Sequence, residues 1–212
     1  MESKNYQEDL SHIRSMMERG SRFLSLSGLS GVFAGCVALI GAIFVWFKLK
    51  SRNIDYFSTL KNLAGSDILL SWIVTGLVIL VLAISGAYFL TLKRSKETNQ
   101  PVWSLTTRRM LLDFSIPLVT GALFCIGLLY HGLFLWLAPA TLIFYGLALV
   151  SAEKHTLGEM KYLGFCQIIL GLISVFFTEL GLVCWALGFG ILHIFYGLMM
   201  HRKYRATNNL SE

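Results

Sequence analysis

Four side chains in this sequence are of a type and spacing to form a polar site away from water: His193, Tyr196, Tyr145 and Gln167. Each lies in a stretch otherwise free of charge, where polar and ionisable groups are costly and often functional. His193 precedes Tyr196 by three positions, so on a helix the two share a face. Tyr145 lies in Ile143-Phe144-Tyr145-Gly146-Leu147, a string that recurs unchanged as Ile194-Phe195-Tyr196-Gly197-Leu198. The pattern predicts a ligand-binding cluster open toward the cytoplasm. The competing expectation, and the favoured one, is a set of interhelical hydrogen bonds that fix packing, each worth about 0.6–2 kcal/mol. No nearby charge-free run carries a carboxylate that would make His193 a proton relay or an activated base. No catalytic residue is therefore assigned.

Other chemistry is thinly represented. Asp113 precedes Pro117 by four positions, so its carbonyl cannot receive the usual helical hydrogen bond. The expectation is that a helix begins there, with Asp113 or Ser115 as its cap; an ion or substrate contact beside a proline kink is the alternative. Cys36, Cys125, Cys166 and Cys184 all fall inside apolar runs and read as small packing residues. No spacing of Cys and His suggests a metal, and no cofactor is expected. Phosphate-binding, zinc-protease and nucleophile-elbow motifs are absent from the sequence.

The elements that must position these side chains are set by the composition. Of the 212 residues 55% are hydrophobic and 14% charged, against about 25% charged in an average soluble domain. Charge-free runs cover 23–47 and 68–92, each 25 residues long, when about 20 suffice to cross a bilayer. The run 114–152 is long enough for two crossings, with a turn expected at Tyr130-His131-Gly132. Two shorter runs, 162–178 and 180–200, follow. A membrane barrel would alternate apolar and polar residues, and stretches such as 76–83 contain no polar side chain. The fold expected is all-α: six transmembrane helices in three hairpins, preceded by a cytoplasmic amphipathic helix. The divisions are 1–22, 23–92, a cytoplasmic loop 93–112, 113–200 and a cytoplasmic tail 201–212.

Lys and Arg mark the cytoplasmic side of a membrane protein. Fourteen of the eighteen fall on the side of the two termini. The other four lie between Lys48 and Lys61. Both ends are therefore expected in the cytoplasm. Trp46, Trp72, Trp136 and Trp185 all fall at the opposite surface in this topology, where tryptophan favours the interface. The formal net charge of +6 follows from this sidedness, and no nucleic-acid partner is expected.

In 1–22, Tyr6, Leu10, Ile13 and Met17 recur at helical spacing among charged residues. Such a helix lies on the membrane surface or docks a partner protein. Ser27, Gly31 and Gly35 repeat every four positions and predict close helix packing, within the bundle or across a homo-oligomer. The last two hairpins read as a parallel repeat. Gly132-Leu133-Phe134-Leu135-Trp136 matches Gly181-Leu182-Val183-Cys184-Trp185, and alignment with the second shared string needs two extra residues near Phe189-Gly190.

The block Ile13-Arg14-Ser15-Met16-Met17-Glu18-Arg19, running into Ser25-Leu26-Ser27-Gly28-Leu29-Ser30-Gly31, resembles the start of a group of uncharacterised bacterial six-helix membrane proteins. The resemblance implies a bacterial inner-membrane location and carries no activity or site residue. Two function classes fit best. The first is a non-enzymatic sensor or accessory component that binds an apolar ligand or a partner protein. The second is a small-solute transporter or channel subunit. A lipid-modifying enzyme ranks last, for want of a catalytic constellation.

Overall fold

In hydrocarbon every backbone N–H and C=O needs a partner within the protein, and an α-helix supplies one inside each segment. The computed structural model describes residues 28–51, 67–98, 103–155 and 160–208. Among these residues there is no strand. Helices α1 (Gly28–Ser51), α2 (Asp67–Thr98) and α3 (Leu105–Tyr130) are followed by α4 (Leu137–Ala152), which is led in by a 3₁₀ turn, Phe134–Trp136. Then come α5 (Met160–Phe176) and α6, which runs through three consecutive stretches, Gly181–Trp185, Ala186–Leu192 and His193–Asn208. Five of these helices are long and apolar enough to cross a membrane; α5, with 17 residues, is apolar but shorter. The expected segment 1–22 and Ser27 lie outside the described residues.

Two helix ends correct the sequence reading. Helix α3 does not begin at Asp113 or Ser115. Its N-cap is Ser104, whose Oγ accepts from the Thr107 N–H at 3.1 Å, and the helix passes through Pro117 without a break. Ser115 Oγ donates to the Leu112 carbonyl and Thr120 Oγ1 to the Ile116 carbonyl on either side of the proline. The segment 93–112, expected as a loop, is mostly helical: α2 continues to Thr98 and α3 starts at Leu105. Charges such as Lys93 and Arg108 interrupt the apolar composition, but the backbone is helical through them. Ser104→Ala should cost about 1 kcal/mol through the lost cap, read as a shift in the unfolding midpoint in micelles. A change within error would mean that the cap is replaced by water.

At the other end of α3 the turn falls where the sequence put it. The Leu133 N–H bonds the Leu128 carbonyl at 2.8 Å and the Gly132 N–H bonds that of Leu129 at 3.1 Å. This is a Schellman closure, and Gly132 supplies its left-handed residue at φ +70°. Nearby, Trp72 of α2 packs on Phe134. Lys48 of α1 donates to Ser71 Oγ of α2. The ammonium groups of Lys48 and Lys50 lie over the rings of Phe44 and Trp46, at 5.4 and 5.0 Å from their centroids. The cations at this end of α1 are thus held on aromatic faces one turn back.

Helix α1 packs between α2 and α6, and α4 packs between α3 and α5. Glycines let the closest pairs approach, as small residues do at membrane helix crossings. A Cβ added to Gly146 of α4 would stand 2.7 Å from the Gly164 carbonyl oxygen of α5, and one on Gly164 would stand 2.8 Å from that of Gly146. Farther along the same pair, Gly171 faces Ile143. In the α1–α6 pair, Gly28 faces Gly197 and Gly35 faces Ile194. Leu142, Ala148, Gln167 and Ser174 are wholly buried, which puts the core along α4 and α5.

Candidate functional site

Three of the four polar side chains converge. The Tyr145 hydroxyl of α4 donates to Nε2 of His193 in α6, at 2.9 Å. His193 Nδ1–H donates to the Gly188 carbonyl oxygen, also at 2.9 Å. The Gln167 amide of α5 donates through Nε2 to the same oxygen at 2.8 Å. The carbonyl can only accept, so Nδ1 carries a proton, and in the neutral imidazole Nε2 is then the acceptor of the Tyr145 hydroxyl. Gln167 Nε2 stands 3.4 Å from His193 Nδ1, as two donors that meet on one acceptor.

The acceptor is available because of the helix geometry around it. Ala186–Leu192 is π-helical, with i→i+5 bonding. Such a widened turn disturbs the regular backbone ladder, and both lone pairs of the Gly188 carbonyl receive side-chain donors. Gly188 is also a steric requirement. A Cβ there would come within 2.5 Å of Gln167 Oε1 and of Leu142 Cδ2. Gln167 Oε1 has no hydrogen-bond partner among the described residues and lies against this glycine.

Aromatic rings enclose the network. Phe189 stacks on His193 at 5.9 Å with 17° between the planes, and lies 5.0 Å from Tyr145 and 5.1 Å from Trp185. Phe114 of α3 meets Tyr145 edge-on at 6.1 Å. On the α1 side, a Cβ on Gly31 would stand 3.3 Å from the His193 carbonyl oxygen. The backbone of His193 is therefore pressed against α1 while its ring bonds to α4.

Tyr196 is not part of the bonded set. It packs with Tyr145 and Leu192 on the apolar cluster of Leu149, Met160 and Leu163. Asp113 is half-buried in α3, and no bond joins it to the His193 network. Of the packing residues named from the sequence, Gly31 and Gly35 line the contact with α6. Among the described residues no three His, Cys, Asp or Glu side chains are grouped so as to hold a metal ion.

Sequence reasoning missed Gly188, Phe189 and Trp185. The last two had a signal, since Trp185, Phe189 and His193 recur every four positions and make one stripe on a helix. The Gly188 carbonyl had none, because every residue carries a backbone acceptor. The site lies about midway along α5 and α6. His193 is about 18 Å along α6 from Gly181, and Gln167 about 10 Å along α5 from Met160, at 1.5 Å per residue. Chemically it is a neutral hydrogen-bonded knot that ties α4, α5 and α6 together. No family model, no curated protein and no solved structure matches the chain.

Proposed function

We propose that the chain is a non-enzymatic multi-pass membrane protein, a sensor or accessory component that binds an apolar ligand or a partner protein and reports through residues 1–22. One observation carries this reading. The polar side chains midway along α4, α5 and α6 direct their hydrogen bonds at one another and at the Gly188 carbonyl, as groups that hold helices together do. His193 and Gln167 are buried, and among the described residues no carboxylate joins them. The chemistry left to the molecule is recognition at its surfaces, and 1–22 is the polar segment with a helical stripe suited to it.

The finer topology belongs to the same proposal. Six crossings form three hairpins, with α5 as the short fifth span, in a bacterial inner membrane. Both termini are cytoplasmic, on the side that holds fourteen of the eighteen Lys and Arg residues. The hairpins α3–α4 and α5–α6 form a parallel repeat. Support comes from the glycine contacts: Gly146 and Ile143 of α4 meet Gly164 and Gly171 of α5, while their mates Gly197 and Ile194 of α6 meet Gly28 and Gly35 of α1.

Deletion of residues 2–20 tests the function. The shortened protein should insert and fold but lose its partners in an in-cell crosslinking pull-down. An unchanged set of crosslinked proteins would remove the reporting role from this segment.

A further inference from the structure

From the tryptophan to the first isoleucine of the shared string there are seven positions in α4, Trp136 to Ile143, and nine in α6, Trp185 to Ile194. The π-helical stretch Ala186–Leu192 occupies that interval. A bond that spans i→i+5 encloses one more residue than an α bond. Beyond this stretch the string still meets its partner helix as it does in α4: Ile194 faces Gly35 as Ile143 faces Gly171, and Gly197 faces Gly28 as Gly146 faces Gly164. The extra residues are taken up without turning the inner part of α6 away from α1. The Gly188 carbonyl within the same stretch is gripped from two directions, by Gln167 and by His193.

We propose that this turn is a clamped register reserve, a conformational device built into α6. It stores one of the two residues by which α6 exceeds α4, and the two side-chain donors on the Gly188 carbonyl hold it open. Release of the clamp lets the turn close to α geometry. One residue of an α-helix corresponds to about 100° of rotation. The inner part of α6 is pinned on α1, so the rotation falls on the outer stretch Gly181–Trp185, which carries the buried Cys184. The device rests on the repeat of the hairpins proposed above. It would give a sensor a moving part between its outer rim and its cytoplasmic side.

Substitutions Cys36→Ala, Cys125→Ala and Cys166→Ala leave Cys184 as the single thiol. In proteoliposomes, Gln167→Met in this background should raise maleimide labelling of Cys184 about fivefold, as expected for a local opening. Joint deletion of Phe189 and Gly190 removes the reserve, so labelling should stay at the parent's level and no longer respond to Gln167→Met. An unchanged rate in a Gln167→Met protein with the parent's elution profile overturns the proposal. So does a raised rate in the joint deletion. If Gln167→Met does not fold, hydrogen exchange on the unaltered chain decides. Ala186–Leu192 should then exchange about tenfold faster than 137–143 of α4, and equal protection overturns the proposal. Failure of the sensing role, read from the pull-down with residues 2–20 deleted, leaves these outcomes unaffected.

Discussion

Gly146→Val is expected to lower fold stability by about 3 kcal/mol, the upper part of the usual range for overpacking. The Cβ alone would sit 2.7 Å from the Gly164 carbonyl oxygen and 3.0 Å from the Ile168 nitrogen. Both are backbone atoms, so no rotamer change makes room. Relief requires α4 and α5 to move apart, which would strip contact from Leu142, Gln167 and Ser174 in the buried core. The control is Gly127→Ala. Gly127 has nothing within 4 Å of an added Cβ, and alanine exceeds glycine in helix propensity by about 1 kcal/mol. That variant should be neutral or slightly stabilised. The two are compared by reversible unfolding in mixed micelles. If both changes have the same effect, the α4–α5 approach is looser than the contacts imply.

The second large effect is expected at His193. His193→Phe keeps the stack on Phe189 but removes the acceptor of the Tyr145 hydroxyl and one of the two donors to the Gly188 carbonyl. The expected loss is about 2–3 kcal/mol, near the upper end for stranded polar groups. Tyr145→Phe removes one bond and should cost about 1 kcal/mol. A double-mutant cycle separates the bond from the packing. In the Tyr145→Phe background the His193→Phe penalty should shrink by about 1 kcal/mol, the size of one membrane hydrogen bond. Strict additivity of the two changes would show that the 2.9 Å contact contributes nothing to stability.

The membrane character and the sites of most helices were legible in charge-free runs, because a single Lys or Asp at mid-bilayer is costly enough to be rare. The helix ends were less legible. The run 68–92 stops at Lys93, but α2 continues to Thr98, since a polar interface favours charged side chains without disfavouring the helix. Ser104 was a readable cap, and Asp113 drew attention from it because a carboxylate before a proline resembles a helix start. Within the site, His193, Tyr145 and Gln167 stood out as polar residues in apolar surroundings. Their common partner did not, because a carbonyl becomes special only through the geometry of its own turn. The two extra residues near Phe189-Gly190 between the matched strings were visible in the sequence, but nothing in composition said that a π-helical stretch would lie there.

The short helices of the core have a consequence for the surrounding lipid. Helices α4 and α5 hold 16 and 17 residues. At 1.5 Å per residue α5 is about 25 Å long, against a hydrocarbon layer of about 30 Å. Helix α2, with 32 residues, exceeds that thickness. In the proposed six-span topology one molecule carries hydrophobic mismatch of both signs: the bilayer must thin beside α5, while α2 tilts or extends beyond it, at a cost of fractions of a kcal/mol per Å. The Lys161–Glu153 ion pair, at 3.5 Å, then marks the level to which water and headgroups must dip at the Met160 end of α5. A thicker bilayer therefore loads the α4–α5 pair first, and with it the helix that holds Gln167.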